Sequence, residues 1–321
     1  MRAITADRYG GPEVLRLAEV DAPVPAGDEV LIRVQAVAVS AGDALLMRGE
    51  PRAVRLAFGL RHPKRPILGR DVAGVVQAVG ASVTRFQLGD PVYAESDQGG
   101  WAELVAVSEQ FVARRPSNLD AVRAAAVPVS GTTALQGWRL ADVGPGRHVL
   151  VNGASGGVGG FAVQLAKAMG AEVTGVCRGE KAEHVRALGA DHVIDYTRED
   201  FTAGPQRYDA IFDLVADHSL GRIRGALTER GTLVLSSGNG GRVFGPFARI
   251  IRASLLGTFV PQRLRTLAAR RNGDDLAELT RRIEAGEVTP VVDSTFDLAD
   301  AAKAVRRLEA GSVRGKLLLT T

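Results

Sequence analysis

The pattern of apolar and polar residues changes near Ala121 and divides the chain into two regions of different type. Before that point, short apolar runs such as "EVLIRVQAVAVS" (29–40) and "DPVYAE" (90–95) are separated by Gly, Pro and Asp. Runs of this length, rich in β-branched residues and bounded by turn residues, are typical of strands. The first region is therefore predicted to be a β-rich domain with few helices.

After Ala121, strand-like and helix-like segments alternate. Strands are predicted at "HVLVN" (148–152), "EVTGVC" (172–177), "HVIDY" (192–196), "DAIFDLV" (209–215), "TLVLSS" (232–237) and "GTFV" (257–260). The helices between them end at glycine in "AKAMGA", "VRALGA" and "GALTERG", where glycine accepts the left-handed cap conformation. This alternation predicts an α/β fold with a doubly wound parallel sheet. The tail (296–321) predicts an amphipathic helix, a glycine stop and a strand that returns to the first domain.

The composition is that of a globular enzyme of two domains, with 321 residues, of which 45% are hydrophobic and 24% charged. No run of about 18 apolar residues is present, and the N-terminal segment lacks the apolar core of a signal peptide. We therefore expect no membrane partner and a cytoplasmic location. The single cysteine, Cys177, excludes an internal disulfide and a multi-cysteine metal site, and favours a reducing compartment.

The net charge is +4, and the basic residues cluster in two segments, 48–70 and 242–271, each with seven basic residues. The chain has 35 Arg and five Lys, so the first interpretation is solvated surface in an arginine-rich protein. A nucleic-acid surface is the alternative, but no aromatic stacking motif accompanies the basic residues. We expect no nucleic-acid partner, and what else these segments bind stays open.

Five glycines lie between Gly153 and Gly160, after an apolar strand and before a helical pattern. The stretch from Ala154 to Gly159 is a variant of the dinucleotide-binding fingerprint, with Ala at its first position. A glycine at 156 lets the backbone approach a pyrophosphate, and one at 159 lets the helix pack tightly on the strand. The predicted cofactor-binding residues of this loop are Ser155, Gly156, Gly157, Val158 and Gly159.

The residues after the second strand favour NADPH over NADH as the cofactor. An NAD site places an acid there to bind the ribose hydroxyls. Here the strand ends at Cys177, and Arg178 and Lys181 follow, with Glu180 as the one acidic neighbour. These cations suit a 2′-phosphate.

Several phrases in order along the chain resemble one family, the medium-chain dehydrogenase/reductases. The resemblance is to its zinc-independent quinone oxidoreductase branch (zeta-crystallin-like), near the subgroup of the reticulon-interacting proteins. The phrases are "ILGRDVAGVV" (67–76), "RFQLGDPVYAE" (85–95), "AAAVPVSGTTALQG" (124–137), "NGASGGVGGFAVQLAK" (152–167), "LGADHVIDYTREDF" (188–201) and "RGKLLL" (314–319). The resemblance implies a GroES-like catalytic domain (1–123 and 265–321) and a Rossmann domain (124–264).

The resemblance also implies roles for particular residues. Zinc alcohol dehydrogenases hold their metal with Cys and with the His of Gly-His-Glu, and this chain has Ser40 and Arg70 at the matching positions, so no metal is expected. Ser40 stands where quinone oxidoreductases often have Asn, and with Thr133 it is a predicted catalytic residue beside the nicotinamide. The family further implies that Tyr196 contacts the adenosine phosphate, that Phe259 and Val260 line the nicotinamide pocket, and that Trp101 and Leu104 shape the substrate side.

These expectations predict an NADPH-dependent reductase that transfers hydride without a metal to a quinone or to an activated C=C bond. No histidine stands out as a general acid, since all five fall in loops, strand starts or helices. Two alternatives stay open: a reductase of enoyl thioesters or alkenals, and an NADPH-binding interaction protein with little turnover. The expected assembly is a homodimer that pairs through the edge of the Rossmann sheet near "GTFV".

Overall fold

The computed structural model describes residues 1–236 and 247–321, of which residue 247 is described only as helical. These residues form two compact units. The first comprises Met1–Thr132, Arg271–Gly286 and Pro290–Thr321, and the second comprises Thr133–Arg270 and Glu287–Thr289. No helix within the described ranges is both long and apolar enough to cross a membrane.

The strands are named in chain order. They are β1 (Arg2–Thr5), β2 (Arg16–Glu19), β3 (Glu29–Val39), β4 (Asp71–Val79), β5 (Pro91–Glu95), β6 (Leu104–Ser108), β7 (Val112–Arg114), β8 (His148–Asn152), β9 (Glu172–Cys177), β10 (His192–Asp195), β11 (Tyr208–Asp213), β12 (Leu227–Leu235), β13 (Arg263–Thr266), β14 (Val292–Asp297) and β15 (Lys316–Thr320).

The α-helices are named in the same way. They are α1 (Ala41–Arg48), α2 (Arg55–Phe58), α3 (Ala121–Ala125), α4 (Pro128–Ala141), α5 (Gly157–Ala168), α6 (Ala182–Ala187), α7 (Leu220–Gly225), α8 (Phe247–Leu256), α9 (Gly273–Glu284) and α10 (Ala301–Glu309).

The second unit is built on a six-stranded sheet in the order β10-β9-β8-β11-β12-β13. All five strand pairs are parallel. Numbered from β8, this is the order 3-2-1-4-5-6 of the Rossmann fold. Continuous apolar runs explain the arrangement, because both faces of a parallel sheet are covered by helices. The predicted fold class is confirmed.

The first unit is built on a seven-stranded sheet in the order β14-β15-β3-β4-β5-β7, with β6 paired to β3. Only β14 and β15 pair in parallel; the other pairs are antiparallel. Its core is a cluster of buried aliphatic and aromatic residues that includes Trp101 and residues of the final strand. The tail therefore returns to the first unit, as its sequence predicted.

Two predictions of local structure are wrong. "GTFV" (257–260) forms a turn after α8, and the sixth strand of the sheet is the following segment, Arg263–Thr266. "GALTERG" does not end a helix at Gly231, because α7 ends at Gly225 and Gly231 lies inside β12. In both segments a short apolar run fits either a helix end or a strand, and pairing with β11 and β12 decides the outcome.

Gly159 explains how closely α5 packs on the loop that follows β8. A Cβ atom added there would lie 2.1 Å from the carbonyl oxygen of Gly153 and 2.8 Å from the Cα of Ala154. A Cβ added at Gly156 would meet only the oxygen of Gly153, at an ordinary 3.5 Å. Glycine at 159 is therefore required by the packing of the protein itself, whereas the fold leaves room for a side chain at 156.

We expect Gly159→Ala to lower the free energy of unfolding by about 1–3 kcal/mol, because the backbone contact must open to admit the methyl group. The matched control Gly156→Ala should change it by less than about 1 kcal/mol, the size of a helix-cap effect. Denaturant titration followed by circular dichroism measures both variants. Equal stability of the two variants would contradict this account of the packing.

Candidate functional site

The loop between β8 and α5 is a turn, and no side chain caps the N-terminus of the helix that follows it. Gly153 has φ 92°, and the N–H groups of Gly153 and Ala154 donate to the carbonyl oxygen of Val176 in β9. Gly156 occupies the N-cap position of α5 and makes no side-chain cap hydrogen bond. The first N–H groups of a helix have no partner within the helix, and together with the helix dipole they favour an anion.

The geometry at Gly156 fits a bound pyrophosphate. The protein alone would tolerate a side chain at this position, so the packing of the chain does not account for glycine there. A ligand whose phosphates approach the backbone does account for it, because a side chain would occupy the space of the phosphate.

The end of the second strand carries a cation and a phenol in contact. β9 ends at the buried Cys177, and the side chain of the exposed Arg178 follows. Nε of Arg178 donates a hydrogen bond of 3.3 Å to the hydroxyl oxygen of Tyr196, whose side chain is half exposed. This hydrogen bond is the largest cause that raises the pKa of the guanidinium. The structure thus brings together two of the predicted phosphate-binding residues.

Lys181 differs from Arg178 in its surroundings. It ends a single 3₁₀ turn, Gly179–Lys181, and retains only 8% of its accessible surface. A buried lysine is less available to a phosphate than an exposed arginine, and its predicted contact with the cofactor stays a prediction.

Asp195, the last residue of β10, lies beside the turn that follows Arg178, a contact that the sequence did not reveal. Its carboxylate accepts hydrogen bonds from the backbone N–H and the hydroxyl of Thr197, at 3.0 and 2.8 Å, and these lower its pKa. A Cβ added at Gly179 would lie 2.4 Å from Oδ2 of Asp195, so the carboxylate packs against this turn. The available signal is an acidic residue at the end of the third strand of the parallel sheet, β10.

A cavity of about 670 Å³ opens beside this turn. Its lining mixes three arginines with three acids; the charged residues are Arg178, Arg186, Arg198, Glu180, Asp195 and Glu199. The field around Arg178 is therefore of mixed sign and not that of a simple cationic patch.

In the first unit, polar residues from four neighbouring strands line up at one end of the sheet. The register pairs Leu317 of β15 with Val39 of β3, so Lys316 stands opposite Ser40. β4 begins at Asp71, directly after Arg70, and Asp71 pairs with Glu95 at the end of β5. We call this set, Lys316, Ser40, Arg70, Asp71 and Glu95, the strand-end row.

Ser40 is fixed by a capping box at the start of α1. Its hydroxyl donates to Oδ2 of Asp43 at 2.6 Å, and its backbone N–H donates to the same oxygen at 2.9 Å. Asp43 is buried, and its Oδ1 has no hydrogen-bond partner among the described residues. Burial raises the pKa of Asp43, and the nearby Asp71 raises it further, while the hydrogen bonds from Ser40 lower it.

Two ion pairs occupy the rest of the strand-end row. Lys316 Nζ lies 2.9 Å from Asp71 Oδ2, and both side chains are almost fully buried. The other oxygen of Asp71 accepts the backbone N–H of Val129, at the start of α4. Arg70 Nη2 bonds to Oε1 of Glu95, whose Oε2 accepts from the hydroxyl of Thr132 at 3.3 Å. Burial raises the pKa of Glu95, while Arg70 lowers it.

The other predicted residues fall in different surroundings. Thr133 lies on α4 and is 7% exposed. Trp101 belongs to the hydrophobic core of the first unit, where its Nε1–H donates to the carbonyl oxygen of Ala38, and its predicted role in shaping the substrate side stays a prediction. Phe259 lies in the turn after α8 with 85% of its surface exposed, and its contact with the nicotinamide stays a prediction.

Cys177 is buried, with 2% of its surface exposed. Burial raises the pKa of its thiol, and the charge of Asp195 adds to this effect. Among residues 1–236 and 247–321, no group of three or more His, Cys, Asp or Glu side chains is arranged to hold a metal.

Known proteins resemble the chain over its whole length. The model of the alcohol dehydrogenase GroES-like domain matches residues 26–117, and that of a zinc-binding dehydrogenase matches residues 188–319. An NADPH-dependent alkenal/one oxidoreductase of Arabidopsis thaliana is 33% identical, over 99% of this chain and 79% of the relative. The mitochondrial NAD(P)H oxidoreductase RTN4IP1 of Bos taurus is 34% identical, over 99% of this chain and 89% of the relative.

Among solved structures, the quinone oxidoreductase of Escherichia coli complexed with NADPH superimposes with a TM-score of 0.86 and 26% identity, over all of both chains. The strand order, the glycine loop and these similarities lead to one assignment. The chain belongs to the zinc-independent quinone oxidoreductase branch of the medium-chain dehydrogenase/reductases.

Proposed function

We propose that the protein is an NADPH-dependent oxidoreductase that transfers hydride to a quinone or to the C=C bond of an α,β-unsaturated carbonyl compound, without a metal. The observation that carries the proposal is the pair of features at one end of the parallel sheet. The loop at Gly156 leaves room for a ligand beside the backbone, and Arg178, directly after the next strand, is hydrogen-bonded to Tyr196. A dinucleotide with a 2′-phosphate fits both features.

The loop from Ser155 to Gly159 would hold the pyrophosphate through its backbone N–H groups. Arg178, with Lys181 and Tyr196, would bind the 2′-phosphate, while Thr133 and Phe259 would contact the nicotinamide end. The bound cofactor supplies the hydride. The chain itself positions the reactants and excludes water from between them.

The names of the relatives support acceptors in which a carbonyl group is conjugated to the bond that receives the hydride. One relative is named for alkenals and enones, and a structural neighbour for quinones. In both classes a carbonyl group of the acceptor takes up the negative charge of the added hydride. An enoyl thioester shares this chemistry and is the second candidate. A protein that binds NADPH with little turnover is the third, and steady consumption of NADPH separates it from an enzyme.

Ser40 would have a secondary role in this chemistry. Its hydroxyl donates to Asp43 in the structure, so the same proton is not directed at a substrate. Its partly exposed oxygen still adds polarity to the site. We therefore infer that Ser40 is one contributor among several.

We further propose that the protein is a homodimer in the cytoplasm. β13 pairs with β12 on one side only, and edge strands of this kind invite pairing with a second copy. The adjacent α8 exposes Ile251 and Leu255, at 60% and 63%, and Phe259 follows. The single cysteine is buried, which suits a reducing compartment.

Activity is tested with a panel of acceptors. The protein should oxidise NADPH with a para- or ortho-quinone and with an α,β-unsaturated ketone. It should give no measurable rate with NADP⁺ and ethanol or benzyl alcohol. Alcohol oxidation requires removal of the hydroxyl proton, and Ser40 and Arg70 stand where zinc alcohol dehydrogenases have the ligands of the metal that assists this step. Ser40→Ala should lower quinone turnover by only a few-fold. Alcohol oxidation without quinone turnover would overturn the proposal, and turnover of enoyl thioesters alone would favour the second candidate.

Cofactor choice is tested by Arg178→Ala, with Kd measured from the quenching of tryptophan fluorescence. The variant should bind NADPH about tenfold to a hundredfold more weakly, because a charge-assisted contact with the 2′-phosphate is lost, and should bind NADH as before. Single substitution is the sharper test, since Lys181 is buried. Arg207→Ala is the control, because Arg207 bonds only to carbonyl groups of its own loop, those of Gly204 and Gln206. Equal binding of NADH and NADPH by the unaltered protein would refute the assignment.

The assembly is tested by light scattering at micromolar concentration, which should give the mass of a dimer. Leu255→Lys should shift the mass toward the monomer, because a charge would be buried at the pairing face. Leu88→Lys is the control, since Leu88 is equally exposed, at 68%, in the first unit. A monomer mass for the unaltered protein would exclude the dimer.

A further inference from the structure

The strand-end row of the first unit contains four charged side chains that form two ion pairs. Among its members, Asp71 and Lys316 neutralise each other, since they are buried at 1% and 5% side-chain exposure and lie 2.9 Å apart. Glu95 is also buried, at 5%, but its partner Arg70 keeps 33% of its side chain exposed. Arg70 is therefore the member of the row that combines a charge with access from outside.

The position of the Arg70 guanidinium is set by the buried carboxylate of Glu95. Oε1 of Glu95 accepts a hydrogen bond from Arg70, and Oε2 lies 3.3 Å from the Thr132 hydroxyl. The one proton of this hydroxyl also faces the carbonyl oxygen of Pro128, at the shorter distance of 2.7 Å, so Thr132 holds Glu95 only in part. The side chain of Glu95 is 5% exposed, so burial restricts the carboxylate and with it the guanidinium that it binds.

The guanidinium has unused hydrogen-bonding capacity. It carries five N–H donors, and among the described residues Glu95 is the one side chain that it hydrogen-bonds. The side chain keeps 33% of its surface exposed, so the guanidinium is accessible to a ligand. Arginine stays charged at every relevant pH, so these donors offer a permanent positive charge to a ligand.

Ser40 stands close to Arg70 in the sheet. The register of β3 and β4 pairs Val37 with Val72, which places Val39 opposite Arg70 and Ser40 directly after it. The strand-end row therefore joins the cation to the residue predicted to lie beside the nicotinamide.

We propose that Arg70 is a catalytic residue that binds the acceptor oxygen on which negative charge develops during reduction. The proposal rests on the proposed function and adds to it the group that stabilises the anion. When hydride bonds to the β-carbon of an enone, the C=C electron pair moves toward the carbonyl carbon and the carbonyl pair moves onto oxygen. Arg70 donates hydrogen bonds to that oxygen, and a proton from solvent then completes the saturated ketone. In a quinone the same interaction stabilises the hydroquinone anion before it is protonated.

The first experiment compares turnover in variants that keep the fold. Arg70→Gln alone leaves Glu95 buried without its partner, so the double variant Arg70→Gln/Glu95→Gln is the main test, because it removes both charges together. It should bind NADPH within about twofold of the unaltered protein, while its kcat with quinone and with enone falls roughly a hundredfold or more, as expected for loss of an oxyanion donor. Arg70→Lys should recover part of the rate. Arg65→Gln, an exposed arginine of the same unit paired with Asp97, should leave kcat unchanged.

A folded double variant with a kcat within threefold of the unaltered protein would overturn the proposal. A purely structural role is separated by chemical rescue of Arg70→Ala/Glu95→Gln, in which no buried carboxylate needs a cationic partner. Millimolar guanidinium chloride should restore part of the rate of this double variant, whereas the same concentration of sodium chloride should not. An identical response to the two salts would also count against a catalytic role.

The second experiment needs no turnover. 4-Nitrophenolate, a stable aromatic oxyanion, is titrated in the presence of NADP⁺ and its absorbance is followed. The unaltered protein should bind it at least about tenfold more tightly than the double variant, since a guanidinium contact to an oxyanion is lost. Equal affinity would overturn the role of Arg70. The protein could bind the phenolate in a way that depends on Arg70 and yet be inactive with quinones and enones. That result would support the anion-binding role of Arg70 and refute the proposed function.

Discussion

The buried ion pair of Asp71 and Lys316 is the interaction on which the order of the first unit depends. It joins the start of β4 to the start of the final strand, 245 residues later. The second oxygen of Asp71 accepts the N–H of Val129 and so fixes the start of α4, the helix that carries Thr132 and Thr133. Two opposite charges in a buried site contribute little net stability, but loss of one partner costs about 3–5 kcal/mol because the other charge remains. The pair therefore acts chiefly as a constraint on which strands and helix meet at this end of the sheet.

The glycine loop shows that one motif can contain glycines for unrelated reasons. Gly159 is explained by contacts within the protein, at distances that no side chain allows. Gly156 has no such contact, so the packing of the chain does not require glycine there. The fingerprint in the sequence does not separate these cases, because both positions read as glycine. The distances around each position do separate them: the packing of the chain requires glycine at 159 and does not require it at 156.

Much of the parallel sheet could be predicted from the sequence because its central strands, β8, β9 and β11, are largely buried and mostly apolar. β8 and β9 have the predicted limits, and β10 and β11 differ by one or two residues at an end. Prediction failed where the local pattern was short, as at "GTFV", and where burial depends on distant partners. Trp101 is an example, because the segment "GGWAEL" does not show which distant residues of the first unit enclose it. The pairing of Arg70 with Glu95 and the contact of Asp195 with Gly179 are tertiary, and spacing along the chain gives no indication of either.

Because Cys177 is buried, the reactivity of its thiol reports on local unfolding of β9. It is the only thiol in the sequence, and it ends the strand directly before Arg178. A thiol with a raised pKa and little exposure reacts slowly with alkylating reagents while β9 stays folded. Each modification event therefore records a local unfolding of this strand. A ligand that bridges the turn after β9 to the rest of the second unit would slow that reaction without touching the sulfur, so mass spectrometry of one residue would follow the dynamics of the dinucleotide-binding unit.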